Sequence, residues 1–184
     1  MPMLIGFAGF GGAGKTTAIE YLEGQGFGRR VYLGQAVLDE IDLRGLKRSP
    51  SVEQDVRTEL RGKYGPSVFG NRAAAHIAEI LSIGERVLVD AIFNIEEYRR
   101  LQSCGQTRSV LVAIDASFET RSRRILERHE RRYTGDELRE RDRTETEKLG
   151  TSSVLQLAEF TVSNESSLAD FQRNLDKLST QIGD

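Results

Sequence analysis

The segment that most constrains the fold is a glycine-rich motif near the amino end, Gly9-Phe10-Gly11-Gly12-Ala13-Gly14-Lys15-Thr16. It fits the pattern G-x-x-x-x-G-K-[ST] and lies between an apolar strand predicted at Met3–Ala8 and a helix predicted at Gly14–Gly24. In that setting glycines let successive backbone N–H groups converge on phosphate oxygens, and the helix N-terminus adds partial positive charge. The four fixed positions match by chance in under ~1% of chains of this length. The motif therefore predicts a phosphate loop that binds a nucleotide.

The side chains that follow the loop predict how the nucleotide is held. Lys15 can reach the β- and γ-phosphates, so it is also predicted to be catalytic, and the Thr16 hydroxyl can ligate Mg²⁺. The predicted cofactors are accordingly ATP and Mg²⁺. The residues of this segment predicted to bind the nucleotide are Gly9, Gly11, Gly12, Ala13, Gly14, Lys15, Thr16 and Thr17.

Strand and helix patterns alternate along the chain. Strands are predicted at Met3–Ala8, Arg30–Leu33, Val87–Asp90, Ser109–Asp115 and Glu159–Val162, and helices at Gly14–Gly24, 94–103, Ser117–Arg132 and Ser167–Thr180. This alternation is typical of an α/β fold in which a parallel sheet carries helices on both faces.

Two segments interrupt the alternation. Residues 35–83 are mostly helical in pattern, with breaks expected at Gly45, Pro50, Gly62 and Gly65–Pro66. Residues 128–150 are highly charged and poor in large apolar side chains, which favours a mobile lid over core structure. We therefore expect one domain, with a core of residues 1–34, 84–127 and 151–184, an insertion at 35–83 and a lid at 128–150.

An acidic residue ends the apolar string Val87-Leu88-Val89-Asp90. The carboxyl end of a buried parallel strand is where ligands bind in open α/β sheets, so Asp90 is predicted to be catalytic and to hold Mg²⁺ together with Thr16. Asp115 ends the next strand in the same way. Either aspartate can instead cap the helix that follows, and we assign that structural role to Asp115.

Arginine dominates the basic residues, and nine arginines lie between Arg121 and Arg143. Arg121, Arg124 and Arg128 share one face of the predicted helix, and further arginines continue into the lid. Arginines carried by a closing lid would stabilise charge on a transferring phosphoryl group and exclude water. Arg124 and Arg128 are therefore predicted to be catalytic. The alternative is a solvated helical face, because acidic residues are interleaved with the arginines.

The overall composition excludes several classes of protein. A net charge of -2 argues against a nucleic-acid-binding surface. The apolar runs are too short to span a membrane, and the amino end lacks the basic stretch of a secretory signal. Cys104 is the only cysteine, which excludes an internal disulfide and fits the cytoplasm. We expect a small-molecule partner, no nucleic acid and no membrane, with monomer and homodimer both open.

Beyond these local signals, nearly the whole chain resembles the nucleoside-monophosphate-kinase branch of P-loop proteins. It is most similar to an archaeal group related to adenylate kinase and dephospho-coenzyme A kinase. The resemblance rests on Gly9–Thr16, Leu60–Pro66, Asp90 with Ile95–Tyr98, Arg121-x-x-Arg124, Glu140–Arg143, Leu149-Gly150, Ala158–Phe160 and Asn164–Leu168. It implies a three-layer fold with five parallel strands, an acceptor-binding insertion and a lid. It also implies that Arg121, Arg128 and the loop at Asn164 contact the nucleotide.

The sequence departs from this family where the acceptor would bind. Gln35, Leu38 and Phe93 stand where relatives tend to carry aspartate, arginine and arginine. Arginines at 44, 57, 61 and 72 are possible substitutes. We expect ATP-dependent phosphoryl transfer to a nucleoside or deoxynucleoside monophosphate. Alternatives are an alcohol such as dephospho-coenzyme A as the acceptor, or a nucleotide-binding regulator or slow ATPase without kinase turnover.

Overall fold

The alternating pattern folds into one parallel sheet in the computed structural model, which describes residues 1–105, 107–127 and 134–183. The strands are β1 (Met3–Ala8), β2 (Arg29–Tyr32), β3 (Arg86–Asp90), β4 (Arg108–Asp115) and β5 (Phe160–Ser163). The helices are α1 (Lys15–Gly24), α2 (Gln35–Leu43), α3 (Pro50–Tyr64), α4 (Val68–Ser82), α5 (Ile95–Gln102), α6 (Phe118–Leu126), α7 (Gly135–Leu149), α8 (Thr151–Gln156) and α9 (Leu168–Gly183). The predicted α/β class and five-stranded parallel sheet are confirmed.

Alternate residues of the central strands face two separate cores. Leu4 and Val87 pack on one side with helices α2 to α5, whereas Ile5 and Leu88 pack on the other side with α1 and α9. All four side chains are fully buried, as continuous apolar strands require when helices cover both faces of a sheet.

The strand order β2-β3-β1-β4-β5 places β1 at the centre. The chain leaves β1 towards β2 and β3 on one side and later continues to β4 and β5 on the other. Such a change of direction opens a crevice at the carboxyl ends of the strands, where α/β proteins bind ligands. Ala8 and Asp90, which end β1 and β3, both reach this crevice.

Two predicted helix boundaries are wrong. Helix α3 continues through Gly62, where we expected a break. Gly62 is exposed, and the roughly 1 kcal/mol that glycine costs in a helix is outweighed by burial of Val56 and Leu60 and by the Ser49 cap. Helix α6 ends at Leu126 with Glu127 as its C-cap, before the predicted end, and residues 128–132 of the predicted helix lie outside the described residues.

The charged segment predicted as a lid contains helix α7. Its start is fixed by a capping box in which the Thr134 hydroxyl accepts from the Glu137 N–H and the Glu137 carboxylate accepts from the Thr134 N–H. Leu138 is fully buried, so one face of α7 packs against the protein. Residues 128–133, which include the first part of the predicted lid, lie outside the described residues.

Candidate active site

The phosphate loop spans Gly9–Gly14 between β1 and α1, as predicted. Gly14 has φ +108, and a Cβ there would stand 2.3 Å from the Asn164 side-chain nitrogen. Gly12 has φ +85, and its Cβ would stand 2.8 Å from Ile125. These two positions therefore need glycine for both conformation and space. Since no side chain caps the N-terminus of α1, its first N–H groups stay available to an anion.

Lys15 folds back over this loop. Its Nζ donates to the carbonyl oxygens of Gly9 at 2.6 Å and Phe10 at 3.1 Å, and lies 5.5 Å from the centre of the Phe93 ring. Burial lowers the pKa of the Lys15 ammonium to about 8, and the nearby negative charge of Glu145 opposes that shift. The loop thus holds a cation whose charge is poorly compensated, as suits a partner for phosphate oxygens.

Thr16 and Asp90 meet as the sequence predicted. The Thr16 hydroxyl donates to Asp90 Oδ2 at 3.3 Å, and Asp90 is only 3% exposed. A hydroxyl and a carboxylate beside a phosphate loop are oxygen donors that suit Mg²⁺, so the residues fit this cofactor. The described residues contain no group of three or more His, Cys, Asp or Glu able to hold a metal, so these two ligands would depend on nucleotide phosphates and water to complete coordination.

Arg30 on β2 was not predicted at this site. Its Nη2 donates to the same Asp90 oxygen at 2.7 Å. This contact neutralises the carboxylate proposed for the metal, and it competes directly with any cation at Oδ2. The register explains the encounter, because Tyr32 pairs with Asp90 and Arg30 therefore lies next to β3.

Arg121 is the arginine that α6 directs into the loop. It is 5% exposed, and its Nη1 donates to the Gly11 carbonyl oxygen at 3.1 Å. Its guanidinium carbon lies 5.3 Å from the centre of the Phe10 ring. Arg121 also forms a bidentate ion pair with Asp142 on α7. Arg121 therefore lies at the phosphate loop, and its contact with the nucleotide stays a prediction.

Helix α7 covers the loop with two further charged residues. The guanidinium carbon of Arg141 lies 3.2 Å from where a Cβ on Gly11 would stand. Its Nε donates to Glu145 Oε1 at 2.8 Å. Glu145 is 5% exposed, and its other oxygen has no hydrogen bond to any residue that the structure describes. The inward face of α7 therefore brings a guanidinium and a buried carboxylate to the phosphate loop.

The remaining predicted residues lie around this centre. Arg124 donates to the carbonyl oxygens of Asn164 at 2.8 Å and Ser166 at 3.4 Å, so it does not point into the loop. Asn164 is buried and donates to the Ala13 carbonyl oxygen at 2.8 Å, which holds the loop from the β5 side. Thr17 is exposed on the first turn of α1. Arg128 lies outside the described residues.

Sequence reasoning missed Arg30 and Glu145 as site residues, and it included Arg141 only within the group of lid arginines. A signal for Arg141 and Glu145 was available, because Thr134-x-x-Glu137 predicts a helix start and places these two residues one turn apart on that helix. Nothing local in the sequence indicates the Arg30 contact, since it depends on the register of two strands.

Within the described ranges, none of the helices is long and apolar enough to cross a membrane.

The chain is similar to known proteins along most of its length. Residues 5–147 match a family described as an AAA domain. The chain is 34% identical over 170 residues to the UPF0200/UPF0201 protein of Archaeoglobus fulgidus, covering 91% of this chain but only 52% of that protein. It is 31% identical over 182 residues to the UPF0200 protein of Hyperthermus butylicus, covering 98% and 95% of the two chains.

Solved structures share the fold. TT1252 from Thermus thermophilus has a TM-score of 0.69 at 19% identity, with 98% of each chain covered. A shikimate kinase from Bacteroides thetaiotaomicron has a TM-score of 0.61 at 15% identity, again with 98% of each chain covered. At these identities the likeness establishes a P-loop kinase-like fold alone. With the archaeal relatives and the family match, the chain belongs to the UPF0200 family and carries an AAA domain over residues 5–147.

Proposed function

We propose that this chain binds ATP with Mg²⁺ and transfers the γ-phosphoryl group to a small nucleotide-like acceptor, a nucleoside or deoxynucleoside monophosphate. The observation that carries the proposal is the closure of the phosphate loop by an arginine of α7. Lys15 Nζ lies on the carbonyl oxygens of Gly9 and Phe10, and the Arg141 guanidinium carbon lies 3.2 Å from where a Cβ on Gly11 would stand. Two cations at one phosphate-binding turn suit a transition state whose charge spreads over the phosphoryl oxygens.

Each residue has a distinct role in this proposal. Mg²⁺, when bound by Thr16 and Asp90, supplies charge that neutralises the phosphates. Lys15 aligns the β- and γ-phosphates, and the loop backbone donates to their oxygens. Arg141 stabilises charge on the transferring group, and α7 excludes water that would otherwise accept it. No protein nucleophile is needed, because the acceptor oxygen attacks directly.

Arg124 and Arg128 remain in the proposal, but the grounds for including them differ. Arg124 must leave the carbonyl oxygens of Asn164 and Ser166 before it can reach a phosphate, so we assign the charge-stabilising role first to Arg141. In its observed position Arg124 supports the loop that holds Ala13 through Asn164. Arg128 is retained as a lid residue on the sequence argument alone.

The insertion at 35–83 is the proposed acceptor side, and the core and lid keep the boundaries given above. An alcohol acceptor such as dephospho-coenzyme A is less favoured, because it needs a carboxylate to take its proton and Gln35 stands where relatives carry aspartate. A phosphate acceptor has no such need. We propose a cytoplasmic protein, monomeric or homodimeric, that binds neither nucleic acid nor membrane; the single cysteine supports the reducing compartment.

A transfer screen tests the proposal. Protein, Mg²⁺ and ATP labelled in the γ-phosphate are incubated with each nucleoside and deoxynucleoside monophosphate, with dephospho-coenzyme A, and without acceptor. We expect label in a nucleoside diphosphate, lost in Lys15→Met and retained in the surface control Lys177→Met. Absence of labelled product with every acceptor contradicts the kinase proposal.

A second candidate, a nucleotide-binding regulator or slow ATPase, has one observation in its favour. Arg30 occupies the carboxylate oxygen that the metal needs, which suits a protein that controls when nucleotide is bound. Phe93, which stands where relatives tend to carry an arginine on the acceptor side, also favours this candidate. Release of labelled phosphate in the tube without acceptor, at the same rate with all acceptors present, would select this candidate.

A further inference from the structure

The inward face of α7 carries three charged residues at helical spacing, Arg141, Asp142 and Glu145. Asp142 is paired with the buried Arg121. The Arg141 guanidinium carbon lies 3.2 Å from where a Cβ on Gly11 would stand, so this side chain reaches the phosphate loop. Glu145 lies one turn further along α7 and accepts from Arg141 Nε at 2.8 Å through its Oε1. The pair of Arg141 and Glu145 therefore lies at the loop and not on the outer surface.

Glu145 is buried more deeply than its partner in this ion pair. The Arg141 side chain is 35% exposed, whereas that of Glu145 is only 7% exposed. Glu145 Oε2 accepts no hydrogen bond from any residue in the described part of the chain. A buried carboxylate oxygen without a donor is unfavourable, because it has lost contact with water and gained no partner. Stabilisation of the fold therefore does not account for a carboxylate at this position.

The negative charge of Glu145 also acts on the cation inside the loop. Burial lowers the pKa of the Lys15 ammonium to about 8, and the Glu145 carboxylate opposes this shift more strongly than Asp90 does. Within the described ranges, Lys15 Nζ donates hydrogen bonds only to the neutral carbonyl oxygens of Gly9 and Phe10. Glu145 thus offers negative charge to both of the cations that the proposed function assigns to the phosphates.

We propose that Glu145 is an autoinhibitory carboxylate that competes with the phosphate chain of the nucleotide for Arg141. Guanidinium groups form charged hydrogen bonds with carboxylates and with phosphates alike, so the two anions compete for the same donors. The exchange needs rotation of side chains and not release of α7, because Asp142 can keep its pair with Arg121. This inference rests on the proposed function for the identity of the competing anion, but it does not require phosphoryl transfer.

The competition makes Glu145 a specificity-determining residue. The phosphate chain of free ATP carries more negative charge than that of ATP bound to Mg²⁺, so a fixed carboxylate repels the free chain more strongly. Glu145 therefore favours metal-bound nucleotide over free nucleotide and over other polyphosphates. Without this carboxylate, Lys15 and Arg141 would attract a polyphosphate whether or not it carries a metal ion.

Calorimetric titration of phosphate chains into charge-removal variants tests the inference. Tripolyphosphate in EDTA, ATP in EDTA and ATP with Mg²⁺ are each titrated into wild-type protein, Glu145→Gln and the control Glu147→Gln. The control removes the same charge from an exposed position of the same helix. We expect Glu145→Gln to bind both metal-free chains more tightly than wild type by about tenfold or more, and ATP with Mg²⁺ by about threefold at most. Glu147→Gln should stay within about twofold of wild type for all three ligands.

A gain of affinity separates competition from a structural role, since a variant with a disturbed loop would bind every ligand more weakly. Equal or weaker binding of the metal-free chains by Glu145→Gln would overturn the inference. Weaker binding confined to ATP with Mg²⁺ would make Glu145 a metal ligand and would overturn it as well. If Glu145→Gln does not fold, Glu145→Met, which keeps the length of the side chain and buries no unpaired polar atom, is titrated with the same expectation.

The same variants distinguish this inference from the proposed function. Absence of phosphoryl transfer by wild-type protein, together with the gain of affinity in Glu145→Gln, would reject the kinase proposal and retain the competing carboxylate. Phosphoryl transfer by wild-type protein, with no gain of affinity in Glu145→Gln, would retain the kinase and reject the competition.

Discussion

Arg121 joins the phosphate loop to helix α7: its guanidinium donates to the Gly11 carbonyl oxygen at 3.1 Å and to both carboxylate oxygens of Asp142 at 3.0 and 2.7 Å. The helices that carry Arg121 and Asp142 are separated in sequence by residues 127–134. Because Arg121 is buried, its charge depends on Asp142 for compensation. This pair and the fully buried Leu138 are two contacts that hold helix α7 over the loop.

Replacing Asp142 should therefore destabilise the protein. Asp142→Asn leaves a buried guanidinium without its anion, and we expect unfolding free energy to fall by about 3 kcal/mol in urea denaturation. The control is Asp136→Asn on the same helix, whose partner Arg139 is exposed; it should cost under about 1 kcal/mol. Similar losses in the two variants would show that the Arg121 contact contributes no special stability.

The depressed pKa of Lys15 predicts that replacing this residue stabilises the protein, whereas replacing Asp142 destabilises it. Since the folded-state pKa is about 8 against an ordinary value of 10.5, the unfolded chain binds more protons between these values, and stability should rise with pH across that window. Below it the buried charge is unfavourable, at about 1.4 kcal/mol per pKa unit. Lys15→Met should raise unfolding free energy at neutral pH by about 1–2 kcal/mol, part of the gain being offset by two lost hydrogen bonds. A lower unfolding free energy in Lys15→Met than in wild type would contradict the claim that the buried charge of Lys15 destabilises the protein.

Nucleotide binding should consequently take up a proton in mildly alkaline solution. Bound phosphates favour the ammonium form of Lys15, so they raise its pKa from about 8. Calorimetry at pH 8.5 in two buffers of different ionisation enthalpy should show net proton uptake, with far less at pH 6.5. Lys15→Arg, which stays charged, should show none at either pH. Equal uptake in that variant would assign the proton to another group.

Arg30 should compete with magnesium for Asp90. In Arg30→Met the carboxylate loses its 2.7 Å partner, so the Mg²⁺ concentration for half-maximal nucleotide binding should fall about 3- to 10-fold, equivalent to roughly 0.6–1.4 kcal/mol. The adjacent control Arg29→Met breaks only an exposed pair with Glu85 and should have no effect. If Arg30→Met instead needs a higher Mg²⁺ concentration for half-maximal nucleotide binding than wild type, Arg30 supports the metal site.

Asn164 should hold the loop in its binding conformation. Asn164→Asp keeps the shape of the side chain but replaces a donor to the Ala13 carbonyl oxygen with a second acceptor. We expect about 2 kcal/mol of destabilisation and weaker nucleotide binding. Asn174→Asp, which breaks a more exposed hydrogen bond to Ser163, is the matched control and should change neither property appreciably.

Much of the fold could be predicted from sequence, because its signals are local. Continuous apolar strings marked β1, β3 and β4, and the glycine motif marked the start of α1. Alternation of these elements was sufficient to predict a parallel sheet covered on both faces. The predicted helix bounds failed where tertiary packing outweighs a local signal, as at Gly62, whose helix is held by the buried Val56 and Leu60.

The site was less predictable, because its key contacts join distant segments. Arg121 and Arg124 lie one turn apart and look equivalent in sequence, yet one reaches Gly11 and the other the loop after β5. Arg141 reaches the loop only because Leu138 anchors α7, and one buried leucine in a highly charged segment is a weak signal. The spacing of residues along a helix predicts which side chains share a face. Which element that face contacts depends on the complete fold.

The most direct test of the central claim is calorimetric titration of ATP with Mg²⁺ into wild-type protein and into Lys15→Met. The account predicts saturable binding of one nucleotide per chain to the wild type and no measurable binding to the variant, with both proteins folded by circular dichroism. Absence of binding to wild-type protein with either ATP or GTP, or equal affinity in the variant, would contradict a phosphate loop that works through Lys15.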